Sequence, residues 1–178
     1  HSRGRRAVTT RVVLVGGGLA NGLIAWRLQS APAVELTVVE RAATLGGNHT
    51  WSFHDTDVTD AQRAWLAPFV AASWAGHDVV FPERRRQLAG GYLSITAERF
   101  HATLTAALGN RVRLGTGVRS LSGNRVELDT GEVLAADLVL DGRGPGPVPG
   151  LEVRYQKFLG QFLELRDGHG LDLSLIHI

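Results

Sequence analysis

The stretch VVLVGGGLANGLIAWRLQ, Val12 to Gln29, decides the fold. Its first four residues are an unbroken apolar run, the pattern of a short strand buried on both faces. Gly16-Gly17-Gly18 ends the run, and Leu19, Leu23, Ile24 and Leu28 then recur at helical spacing to about Gln29. Pro32 stops that helix, and Leu36-Thr37-Val38-Val39-Glu40 reads as a second strand. Strand, helix and strand over this length imply a parallel pair joined by a right-handed crossover.

The turn between the first strand and the helix carries the chemistry. A dinucleotide site needs glycine where the turn demands unusual backbone angles. It needs another where the main chain approaches a pyrophosphate held by the helix amides. Gly16 and Gly18 take the first two places of the G-x-G-x-x-G pattern, with Gly17 between them. The third place is Asn21, followed by Gly22, a departure at the position where glycine lets helix and strand pack closely. Glu40, at the end of the second strand, is placed to accept hydrogen bonds from a ribose 2′-hydroxyl and to disfavour a 2′-phosphate.

Outward from this unit, residues Thr44 to about Asp57 are rich in Gly, His and Trp and include Gly46-Gly47. Thr59 can cap a helix running to about Ala72 with an interruption near Pro68. Val79 to Phe81 and Arg84 to Leu88 read as two short strands around Pro82. Thr96 opens a helix with Glu98 in its first turn, an apolar stripe of Phe100, Leu104 and Leu108, and Gly109 as its stop. The period then shortens to two. Strands are expected at Val112 to Leu114, Val118 to Leu121, Val126 to Leu128, Val133-Leu134 and Leu138 to Leu140, with Asp129-Thr130-Gly131 turning between the third and fourth. The last strand enters Asp141-Gly142-Arg143-Gly144, and Pro145, Pro147 and Pro149 mark a linker. In a simple dehydrogenase the next strand–helix unit would follow Glu40 promptly. The long excursion found instead points to FAD rather than NAD as the bound dinucleotide. The fold class is therefore α/β: a Rossmann-like FAD-binding domain of the two-domain, glutathione-reductase-like flavoprotein superfamily, truncated.

Composition sets outer limits. The 178 residues are 44% apolar and 20% charged, enough for one domain with a real core. A net charge of +2 does not argue for nucleic acid. Arg3, Arg5, Arg6 and Arg11 form one acid-free basic run and Arg84 to Arg86 another. Each reads either as solvated surface or as attraction to anionic lipid headgroups. Cysteine and methionine are both absent, so no disulfide or thiolate chemistry is available. No apolar run is long enough to span a bilayer and no secretory leader is recognisable, so the expected location is cytoplasmic with peripheral membrane contact. A first residue of His1 rather than methionine is expected of a fragment or a processed chain. The final hexapeptide, Leu173 to Ile178, follows no helix or strand logic and resembles a translated library adaptor. His49 and His54, without a third partner nearby, do not make a metal site; as structural histidines they flank Trp51 and Phe53.

Five segments carry a more specific likeness: VGGGLANGLIA at Val15–Ala25, GGNHTWSF at Gly46–Phe53, YLSITAERF at Tyr92–Phe100, DGRG at Asp141–Gly144 and YQKFLGQ at Tyr155–Gln161. Together they resemble the bacterial lycopene β-cyclases of carotenoid biosynthesis, from about Val12 to Asp172. The Asn21-Gly22 departure is itself typical of that family. The resemblance implies an isomerase (intramolecular lyase) that closes β-ionone rings on lycopene and other linear carotenoids, giving γ-carotene and then β-carotene. It implies reduced FAD as cofactor, NAD(P)H as reductant and a membrane lipid surface as the place where substrate is met. By likeness to flavin hydroxylases, Arg99 approaches the FAD pyrophosphate and Asp141-Gly142 lies near FAD and the pyridine nucleotide. The expected cofactor-binding residues are thus Gly16, Gly17, Gly18, Asn21, Glu40, Gly46, Gly47, Arg99, Asp141 and Gly142. The family's acidic catalytic motif has no match here, and Glu164 and Asp167 are not promoted to that role. The expected organisation is a basic segment (1–11), a FAD/NAD(P)-binding domain with inserted segments (12–148), the start of a substrate domain (149–172) and an adaptor-derived tail (173–178). By itself such a piece is expected to be inactive. The competing readings are another FAD-dependent oxidoreductase, such as a polyprenyl reductase or hydroxylase, and a non-catalytic FAD-binding fragment.

Overall fold

A computed structural model describes residues 9–144, 150–152, 154, 166 and 174–177. In chain order its elements are β1 (Thr10–Val15), α1 (Leu19–Leu28), β2 (Val34–Val39), β3 (Thr50–His54), α2 (Asp60–Leu66), β4 (Ala72–Phe81) and β5 (Arg84–Thr96). There follow α3 (Ala97–Leu108), β6 (Val112–Arg113), β7 (Val118–Ser122), β8 (Arg125–Leu128), β9 (Val133–Ala135), β10 (Leu138–Asp141) and β11 (Ser174–His177). The chain divides into two compact units.

The first unit takes in the chain from β1 to Trp51, then Pro68–Ala71 and Ile95–Gly144. Its main sheet runs β10-β1-β2-β6, all parallel, with Val12 to Val15 opposite Leu138 to Asp141 on one side and Leu36 to Val39 on the other. In sheet order these are the fourth, first, second and third strands, the doubly wound arrangement whose direction reverses beside β1. Val12 to Val15 are almost fully buried, as a strand covered on both faces must be. The antiparallel meander β7-β8-β9 packs Val126 and Leu128 against Val13, Val15 and Val39. Arg11 closes the outer end of the sheet on Asp137, donating from its backbone at 2.8 Å and from its guanidinium at 3.2 Å.

Helix α3 follows the expectation closely: Thr96 caps it by accepting from the Arg99 amide, Phe100, Leu104 and Leu108 are buried, and Gly109 ends it at φ +55°. Helix α1 differs. The expected stripe of Leu19, Leu23, Ile24 and Leu28 is only half buried, and the fully buried residues are Asn21, Gly22 and Ala25. The cause is close approach. A Cβ on Gly22 would run into the Phe100 ring and lie 2.7 Å from Leu104, so the small face of α1 lies flat on α3.

The second unit takes in Ser52–Ala67, Ala72–Ser94 and the described residues of Pro145–Ile178, β11 among them. Its sheet is ordered β11-β4-β5-β3. Thr59 caps α2 with a reciprocal bond to Gln62 as expected, but the helix stops at Leu66 rather than near Ala72. Pro68, which has no N–H to continue the helical ladder, sits in a 3₁₀ turn, Ala67–Phe69. Phe69 is fully buried in the first unit, its ring 5.0 Å from Trp26 and 5.6 Å from Phe100. The two short strands expected around Pro82 are the tip of a much longer hairpin, Val80 opposite Arg85 and Trp74 opposite Tyr92. Its glycines, Gly76, Gly90 and Gly91, dilute the alternation that would have revealed its length. The expectation that the last residues follow no strand logic is corrected as well. Ser174–His177 pairs in parallel with His77–Val80, satisfying an otherwise open edge of β4. Tyr155–Gln161, Glu164 and Asp167 lie outside the described residues.

Candidate nucleotide-binding site

The site lies in the first unit, at the carboxyl ends of β1, β2 and β10, where the strand order reverses and open α/β sheets take their ligands. Backbone bonds tie these ends together: the Gly16 amide donates to Val39 at 2.8 Å and the Gly142 amide to Val15 at 2.7 Å. Gly16 turns at φ +95°, and a Cβ there would lie 2.8 Å from the Gly142 carbonyl group. Gly17 has Leu45 and Glu40 against it. Gly18 is the opposite case: a Cβ there would meet nothing within 4 Å among the described residues. It caps α1 in an extended conformation without a side-chain bond, and no acidic residue occupies the first helical turn. The space beside Gly18, at the positive end of the α1 dipole, is thus open, the arrangement that attracts phosphate.

Asn21 explains the departure from the glycine pattern. Its side-chain amide donates to the carbonyls of Val15 and Gly16, each at 2.9 Å, in a buried setting. Gly142 makes room for it: a Cβ at 142 would stand 2.5 Å from Asn21 Nδ2. Asn21 therefore lies beneath the turn and fixes it. The close packing usually given by the third glycine passes to Gly22, against α3 rather than against the strand.

Glu40 accepts from the Gly17 amide at 2.6 Å through one carboxylate oxygen and from the Ala42 amide at 2.8 Å through the other. It joins the end of β2 to the glycine turn. Gly46 and Gly47 adopt φ of +84° and +61°, and the Gly46 amide donates to the Gly17 carbonyl at 2.9 Å. A Cβ on Gly46 would crowd Trp51, Ala97 and Phe100 at 3.1–3.3 Å.

These groups surround a cavity of about 600 Å³, a volume typical of small-molecule sites. Of the residues selected from the sequence, Gly16, Gly17, Gly18, Glu40, Gly46, Gly47 and Gly142 line it; His49, expected to be structural, lines it too, its ring 5.8 Å from Trp51. Three selected residues do not. Asn21 lies beneath the turn, bonded to the carbonyls of Val15 and Gly16. Arg99 donates through Nε to the Pro68 carbonyl at 2.9 Å, held by the turn that buries Phe69. Asp141 points instead at Arg143, which donates to its two carboxylate oxygens at 2.8 Å each. The Arg143 bond holds the Asp141 carboxyl below its ordinary value of 3.8, and the same bond raises Arg143. Arg143 is the member of the pair that lines the cavity. His54 belongs to the second unit, its ring 5.3 Å from His77 and 5.2 Å from Tyr92.

Sequence reasoning missed Arg41, Thr116, Gly117, Asp129 and Arg143 in the lining. Arg41 was the most legible, being next to Glu40. Gly117 and Asp129 come from the meander and touch each other, the Asp129 amide donating to the Gly117 carbonyl at 3.0 Å. The cavity is thus cationic at Arg41, Arg143 and the α1 terminus, and anionic at Glu40 and Asp129. It suits a ligand with a diphosphate at one place and sugar hydroxyls at another. A dinucleotide such as FAD fits the donors and the open space above Gly18.

Solved structures share this architecture. A 2-methyl-3-hydroxypyridine-5-carboxylic acid oxygenase superposes with a TM-score of 0.58 at 19% identity, over 74% of this chain and 38% of that one. The 2,6-dihydroxypyridine-3-hydroxylase of Arthrobacter nicotinovorans gives 0.51 at 15% identity, over 75% and 37%. At such identities the likeness shows the fold: an α/β unit with a parallel, doubly wound sheet. The family is set by sequence. The family model described as lycopene cyclase protein matches residues 11–177, and the chain belongs to that family. It is 50% identical over 166 residues to a lycopene beta-cyclase of Pseudescherichia vulneris, covering 93% of this chain and 43% of the relative. It is 43% identical over 166 residues to that of Pantoea ananas, covering 93% and 44%. A lycopene beta-cyclase of Paracoccus is 36% identical over 170 residues, with coverage of 95% and 44%. The chain spans less than half the length of these relatives.

Proposed function

We propose that this chain is the FAD-binding portion of a lycopene β-cyclase, and that the activity belongs to a longer protein. The carrying observation is the glycine turn, Gly16 to Gly18, opening a helix whose N-cap makes no side-chain bond, in a chain up to 50% identical to proteins named lycopene beta-cyclase. In this reading the α1 amides and Gly18 hold the pyrophosphate, Glu40, fixed by the Gly17 and Ala42 amides, offers its remaining lone pairs to the adenosine ribose, and Arg143 is held at the cavity by Asp141. Bound FAD, kept reduced by NAD(P)H, would supply negative charge near a developing cation. The reaction is an isomerisation. A proton adds to the terminal double bond of lycopene, the carbocation is captured by ring closure, and a ring proton leaves, giving γ-carotene and then β-carotene. The proton donor is not assigned to any residue of this chain, so residues 1–178 by themselves are expected to close no ring.

Lycopene is a hydrocarbon that partitions into lipid, so the protein is expected at the cytoplasmic membrane surface as a peripheral component. Among the described residues no helix is long and apolar enough to cross a membrane.

The test is anaerobic incubation of the full-length protein with FAD, NADPH and lycopene in liposomes, with carotenoids separated by chromatography. β-Rings forming with no NADPH consumed per ring support the cyclase. NADPH oxidised in proportion to product would replace it with a flavin oxidoreductase such as a polyprenyl reductase or hydroxylase.

A further inference from the structure

Among the described residues of the second unit, the tip of the β4–β5 hairpin is the longest exposed stretch: Phe81, Pro82, Glu83, Arg84, Arg85, Arg86 and Gln87 are all exposed. Strand register sorts its side chains onto two faces. Val80 lies opposite Arg85 and Asp78 opposite Gln87, so these four share one face. There Arg85 is neutralised, bonding to Asp78 at 2.5 Å. Phe81 lies opposite Arg84 and Val79 opposite Arg86, so these four share the other. Neither Arg84 nor Arg86 has a carboxylate partner among the described residues, and Phe81 is 43% exposed. One face of the tip therefore offers two guanidinium groups without a carboxylate partner among the described residues, beside an exposed aromatic ring and a valine, with Glu83 in the connecting turn. Arg11, from the other basic run, is committed to Asp137.

We propose that this face of the hairpin tip, formed by Val79, Phe81, Arg84 and Arg86, docks on an anionic lipid bilayer. An aromatic ring and aliphatic side chain seat at the headgroup boundary while long arginine stems let their charges reach lipid phosphates. A surface built only for solubility would gain nothing from segregating its free cations with its exposed apolar groups. The assignment rests on the cyclase reading in one respect, that a hydrocarbon substrate gives the protein reason to be at a bilayer.

The experiment uses flavin-loaded full-length protein and two kinds of vesicle, pure phosphatidylcholine and phosphatidylcholine mixed with phosphatidylglycerol. Arg84→Gln/Arg86→Gln leaves the Arg85–Asp78 pair in place. Each arginine near an anionic surface contributes about 5-fold, so the double variant is expected to partition ~30-fold more weakly to anionic vesicles at low salt. The difference narrows at high salt, and Arg125→Gln on the first unit has no such effect. Equal partitioning of variant and wild type overturns the proposal. So does wild type that ignores anionic vesicles, binds neutral ones equally, or binds an oligonucleotide through these arginines but no vesicle. Cyclisation of lycopene in detergent micelles, which needs no docking, is measured alongside. Ring closure in micelles by a variant that no longer floats supports the assignment. Charge-dependent flotation without ring closure in any preparation sinks the cyclase reading and leaves the docking face standing.

Discussion

Gly142→Ala is expected to destabilise the first unit by displacing Asn21. Gly142 does not have a positive φ, so alanine brings no backbone strain, and the effect is steric. The new methyl would lie 2.5 Å from Asn21 Nδ2 and 2.9 Å from its Cγ. Asn21 would have to leave the carbonyls of Val15 and Gly16, two buried bonds of 2.9 Å. The Gly16 carbonyl would be stranded at a cost of about 1–3 kcal/mol, while Val15 keeps the Gly142 amide and loses about 1 kcal/mol, so the total is about 2–4 kcal/mol. Asn21→Ala removes the same bonds and should fall in the same range. In Asn21→Ala/Gly142→Ala the methyl occupies space the amide vacated, so the double variant should be no less stable than Asn21→Ala alone. The expected coupling is about 2 kcal/mol or more. Urea unfolding of the full-length protein measures it as midpoint shifts on the order of 1 M for each single variant. Additive losses would show that the two residues do not share one space and would refute the reasoning.

Gly18→Val should abolish flavin retention while leaving the melting temperature of the flavin-free protein nearly unchanged, because the side chain enters only the ligand's space; full-length protein purifying with normal flavin content would contradict this placement. Gly22→Ala should destabilise by about 1–3 kcal/mol through overpacking against Phe100 and Leu104, read by thermal unfolding, with Phe100→Leu partly relieving it. The depressed Asp141 carboxyl contributes stability that is present above its ordinary value of 3.8 and is lost as pH falls through the lower folded value. Arg143→Ala should therefore raise the Asp141 value, seen by carboxyl NMR, and the stability difference between wild type and variant should vanish in acid.

The sequence by itself determined the parallel strand pair, the glycine turn, the Thr96 cap and the Phe100–Leu104–Leu108 stripe. Each is a local rule of backbone angle or side-chain period that neighbouring residues enforce. It also brought Gly16, Gly18 and Glu40 to one cavity, because a βαβ unit brings the ends of adjacent strands together whatever follows. Only the tertiary structure decided what fills the remaining space. Asn21 and Gly142 fit each other because β10 returns beside β1, and Gly22 must be small because α3 lies across it. Gly117 and Asp129 reach the cavity because the meander folds over β1 and β2. Arg99 is drawn to the Pro68 carbonyl by a turn whose course was hidden in a helix-like stretch. The full length of the β4–β5 hairpin was masked by its glycines. Contacts between residues far apart in the chain leave no periodic trace in either segment. Steric exclusion and the need to pair buried polar groups fix them only after the sheet has set which strand ends are neighbours.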